Sequence, residues 1–122
     1  MNYTYNHVNF NVKNLEESLA FYKEALGLTE ASRIEQPDGD FIIVYLKDPA
    51  GDFSLELTWL REHPQAYDLG ECEFHLAMVT DDYAASLEKH RAMHCVCFEN
   101  EAMGIYFIND PDGYWIEIVP AK

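Results

Sequence analysis

Apolar and polar residues alternate near the start of the chain. Val8, Phe10 and Val12 interleave with His7, Asn9 and Asn11, which is the two-residue period of a strand. A helix is expected next. Asn14 is a suitable N-cap, Glu17 follows at capping-box spacing, and Leu15, Leu19, Tyr22 and Leu26 share one face before Gly27 stops it. Three strands are then predicted over 29–34, 41–46 and 53–58. The turn-forming runs Pro37-Asp38-Gly39 and Asp48-Pro49-Ala50-Gly51 separate them.

After the polar stretch at 61–65 the order repeats. A strand is predicted over 73–79, then a helix capped by Thr80 or Asp81 and running to about residue 93. Strands over 95–99, 104–108 and 114–119 follow, with Asp110-Pro111-Asp112-Gly113 as the last turn. The halves also align residue by residue. His7 corresponds to His75, Ser18 to Ser86, Leu19 to Leu87, the Asp48 turn to the Asp110 turn, and Glu56 to Glu117. This ordered series predicts an α+β fold of two tandem βαβββ modules, about 1–60 and 70–122, within a single domain spanning 1–122.

Composition narrows the function. Of 122 residues, 48% are hydrophobic and 14% aromatic, enough for a packed core and incompatible with intrinsic disorder. Eight basic against 22 acidic residues leave a net charge of −14. That balance excludes phosphate-tracking nucleic-acid binding and docking on anionic membranes. The longest apolar run, 41–46, is too short to span a bilayer, and the first residues lack the features of a secretion signal. Cys72, Cys95 and Cys97 are too few for a disulfide scaffold. The expectation is a soluble protein of a reducing compartment, the cytoplasm.

The repeat singles out His7, Glu56, His75 and Glu117. Two imidazoles and two carboxylates suit a borderline divalent cation such as nickel, cobalt, zinc or iron. Four protein ligands would leave two positions of an octahedron for waters or two substrate oxygens. Each residue alone also has a plainer reading. His7 could be a strand-surface histidine beside Asn9 and Asn11, Glu56 part of a solvated face with Ser54 and Thr58, and His75 a packed histidine near Ala77 and Val79. Glu117 is harder to explain so, because Trp115, Ile116, Ile118 and Val119 surround it in sequence and a bare carboxylate is costly to desolvate. A metal or a raised pKa would account for it.

These residues, with the segment 7–28, Leu55-Glu56-Leu57-Thr58 and the run from Asp110 to Ile118, resemble the vicinal-oxygen-chelate superfamily, and within it the short bacterial glyoxalase I group. The resemblance implies His7, Glu56, His75 and Glu117 as ligands of one divalent metal, with nickel or cobalt favoured over zinc. It implies Glu117 as the catalytic base, Glu56 as ligand and partner in proton transfer, and a homodimer. The activity implied is isomerisation of the hemithioacetal of a 2-oxoaldehyde such as methylglyoxal and a thiol, glutathione or another. The alternatives are a non-catalytic binding protein of the same fold, an epimerase or a dioxygenase. Three features depart from the family pattern: Asn11 where a basic residue often stands, Leu60 where Asn is common, and the acidic loop 99–104.

Other residues invite metal or redox readings. Cys95 and Cys97 read as small buried hydrophobes on one strand face. His90 and His94 lie four apart without an intervening HExxH glutamate and read as a solvated helix end, and His63-Pro64 as a loop feature.

Overall fold

The computed structural model describes residues 1–122. The strands and helices are β1 (His7–Asn11), α1 (Leu15–Leu26), β2 (Thr29–Glu35), β3 (Phe41–Lys47), β4 (Ser54–Leu60), β5 (Leu76–Thr80), α2 (Tyr83–Ala92), β6 (Val96–Asn100), β7 (Ile105–Asn109) and β8 (Trp115–Pro120). They form two compact units, Met1–Tyr67 and Asp68–Lys122. Each unit holds a four-stranded mixed sheet, ordered β1-β4-β3-β2 in the first and β5-β8-β7-β6 in the second. In both, the first strand pairs in parallel with the last and the other pairings are antiparallel. The predicted βαβββ repeat is therefore the architecture.

Strand alternation divides each sheet into a core face and an open face. In the first unit Phe10, Val44, Leu46, Leu55 and Leu57 are buried on one side together with Leu15, Tyr22 and Ala25 of α1. In the second, Tyr106, Ile108, Ile116 and Ile118 do the same. The Asp48 and Asp110 turns fold alike. Each carboxylate accepts a backbone N–H two residues on, at 2.9 Å in both, and Asp110 also accepts from the Tyr114 N–H at 2.8 Å. Gly113, at φ 94°, takes a backbone conformation that a side chain would strain.

The helices depart from expectation in instructive ways. Asn14 caps α1 by accepting from the Glu17 N–H at 3.0 Å, and Gly27 ends it in the left-handed region, both as predicted. The fully buried stripe, however, is Leu15, Ser18, Tyr22 and Ala25 rather than Leu19 and Leu26, because small side chains let the helix sit close to the sheet. The cap of α2 is Asp82, not Thr80 or Asp81. Its carboxylate accepts from the Ala85 N–H, while the Thr80 hydroxyl accepts from the Asp82 N–H and closes β5. The strand predicted over 73–79 begins only at Leu76, where pairing with Ile116 starts, so His75 immediately precedes β5 instead of lying within it.

Candidate metal centre

Parallel pairing of β1 with β4 sets Asn9 opposite Glu56 and His7 opposite Ser54, so His7 and Glu56 share the open face one step apart along the strands. The His7 Nε2 lies 3.5 Å from a Glu56 carboxylate oxygen. The second unit repeats the geometry: Ala77 stands opposite Glu117, and the His75 Nε2 lies 3.5 Å from a Glu117 oxygen. Both carboxylates are mostly covered, at 12% and 18% side-chain exposure, and both imidazoles are more open. The structure thus places the four predicted residues as two matched pairs, one in each unit. No three His, Cys, Asp or Glu side chains form a metal-holding group.

The surroundings of the two pairs differ first at the residue beside each carboxylate. Tyr45, opposite Glu56 on β3, sets its ring edge-on to His7 at 5.9 Å and donates its phenol to Glu56. That hydrogen bond and the carboxylate charge hold the phenol above its usual pKa. Phe107 occupies the matching place beside Glu117, edge-on to His75 at 5.2 Å, and has no hydroxyl to offer. Phe107 also packs against Trp115 at 5.1 Å and Phe98 at 6.2 Å, giving the second open face an aromatic wall.

Asn6 completes the first pair. Its side-chain oxygen lies 2.5 Å from the His7 Nδ1, a contact that holds the ring with Nε2 towards Glu56. An imidazole nitrogen and a carboxylate oxygen so placed can share a cation. Two donors each roughly 2.1 Å from one ion would stand about 3.0–3.4 Å apart at octahedral or tetrahedral angles, close to what both pairs show. The donor set and spacing fit a borderline divalent cation.

Neither Asn6 nor Tyr45 was singled out from sequence. Tyr45 could have been found by counting back across the Asp48 turn from Glu56. Asn6 carries no comparable signal.

The remaining candidates are structural. His90 is buried, contrary to the solvated helix end expected, with Nδ1 2.6 Å from the Tyr106 hydroxyl. That hydroxyl is in turn 2.5 Å from the Ser86 hydroxyl. His94 adopts a left-handed backbone just beyond α2. Cys95 precedes β6, and an irregularity between Val96 and Phe98 interrupts the alternation on which a common face with Cys97 rested. His63 stacks flat on Tyr67 at 3.8 Å.

Comparison with known proteins agrees with the fold. Residues 4–118 match the family model of the Glyoxalase/Bleomycin resistance protein/Dioxygenase superfamily. The chain belongs to that superfamily. It is 36% identical to the lactoylglutathione lyase of Neisseria meningitidis serogroup A, over 95% of this chain and 89% of that one. It is 27% identical to the lactoylglutathione lyase of Salmonella typhimurium, over 95% and 91%. Among solved structures, the trypanothione-dependent glyoxalase I of Leishmania major matches with a TM-score of 0.86 at 27% identity, covering 98% of this chain and 87% of that one. These glyoxalase relatives make the chain an enzyme of the lyase class. None of its helices is long and apolar enough to cross a membrane.

Proposed function

We propose that the protein is a metal-dependent glyoxalase-I-like lyase that isomerises the hemithioacetal of a small 2-oxoaldehyde and a thiol to a 2-hydroxyacyl thioester. The observation that carries this reading is the His–Glu pair at 3.5 Å, present at equivalent positions in both units. His7, Glu56, His75 and Glu117 would hold one divalent cation, with nickel or cobalt ahead of zinc. The cation would supply Lewis acidity to two neighbouring substrate oxygens. Each pair alone offers two donors, so a four-donor site takes both. We place both modules in one functional domain and the working enzyme as a homodimer in the cytoplasm.

Glu117 is the residue assigned to proton transfer. It takes the proton from the hemithioacetal carbon and returns it to the adjacent carbonyl carbon, while the hydroxyl proton passes from the first oxygen to the second, so the reaction is an isomerisation with no other reactant. The Tyr45 phenol already engages Glu56, whereas Phe107 leaves the Glu117 carboxylate without such a donor, and this favours Glu117 as the base. The aromatic side chains on its face limit water there. Asn6 fixes the ring of His7 with Nε2 directed towards the site.

The test is metal content measured alongside turnover of methylglyoxal–thiol adducts. About one ion per four-ligand site and isomerase activity lost on chelation are expected. A metal-bound protein that isomerises no such adduct would overturn the lyase reading and leave a binding protein of the same fold.

A further inference from the structure

Which thiol forms the adduct can be argued from charge. On the open face of the second sheet, alternation along β5–β8 places Ala77, Val79, Trp115, Phe107 and Phe98 around Glu117, the one charged residue of those strands on that side. On the open face of the first sheet, His7 and Glu56 are joined by Asn9, Asn11, Thr58 and Tyr45. Lys47, at the end of β3, is the only Lys or Arg that the alternation puts on either face.

The arginines are committed elsewhere. Arg33 is clamped by Glu30 and Glu35 at 2.6 and 3.0 Å, Arg61 pairs with Asp40, and Arg91 pairs with Glu99 at 2.5 Å. Against this the whole chain carries a charge of −14. A substrate bearing free carboxylates would approach through a repulsive field and find a single lysine among the strand residues of these two faces. A neutral or cationic one would be drawn in.

Building on the lyase reading above, we propose that the co-substrate is a thiol without net negative charge, so that glutathione, a net anion, is the poorer partner. The discriminating experiment uses one peptide skeleton in three charge states: glutathione (net −1), its monoethyl ester (0) and its diethyl ester (+1). Each is converted to the hemithioacetal with methylglyoxal and presented to the metal-loaded enzyme. The expected result is kcat/KM rising from glutathione to the diester by about tenfold or more at low ionic strength, within the range of electrostatic steering. The gap should shrink as salt shortens the screening length. Calorimetric binding of S-hexylglutathione and its diethyl ester should follow the same order without turnover. Glutathione turning over best, or an ester preference that salt leaves untouched, overturns the proposal while the lyase reading stands. No turnover of any of the three adducts overturns both.

Discussion

At the residue scale the two units differ least in what they hold and most in what supports it. Each sets an imidazole 3.5 Å from a carboxylate, yet only Glu56 receives a phenol. Glu117→Gln keeps an oxygen able to coordinate and removes the carboxylate proposed as the base. Turnover should fall by about 10²–10⁴-fold with metal still bound, and Glu56→Gln should cost less. Kinetics on metal-replete protein decide this, and a Glu117→Gln variant as fast as its parent would assign the proton transfer elsewhere. Asn6 offers a second handle. Asn6→Ala frees the His7 ring to change tautomer and should weaken metal affinity by about 10–100-fold, measurable by competition with a chelator. Unchanged affinity would show that the ring needs no such support. The two His–Glu pairs were legible because the repeat doubled each weak signal. Asn6 and Tyr45 were not, since their roles depend on side-chain direction and cross-strand register.

At the scale of elements, β1, α1 and the Asp turns were legible because alternation, caps and turn residues act locally. The second half was harder. The start of β5 is set by where β8 can pair, and α2 buries a histidine where an apolar side chain would have announced the inward face. That histidine belongs to a chain of hydroxyl and imidazole groups, Ser86, Tyr106 and His90, joining α2 to β7. Burial raises the Tyr106 pKa above its usual value, so the folded state favours the neutral phenol. The stabilisation is complete below the ordinary tyrosine pKa of roughly 10 and is lost as pH rises through the raised folded value. Alkaline denaturation followed by circular dichroism should therefore begin above about pH 10, and Tyr106→Phe should move that onset upward. An onset indifferent to the substitution would clear Tyr106 of the effect. Cys97 lies on the neighbouring strand with its thiol pKa likewise raised by burial, in keeping with the small-hydrophobe reading.

At the scale of the whole molecule, the proposed function asks two pairs of donors to serve one ion, and a homodimer is the expected assembly. Sedimentation at micromolar concentration should show it, whereas a monomer that still loads metal and turns over would place the complete site in one chain. The division after Tyr67 also has a consequence for how the enzyme is made. Every strand pairing of the first unit is closed within its own residues. At translation rates of about 5–20 residues per second, the 55 residues from Asp68 to Lys122 take roughly 3–11 s to follow. During that interval a nascent first unit can fold with His7 and Glu56 already set and only two donors to offer. If the four residues hold one ion as proposed, its capture would wait until the ribosome has delivered the second pair.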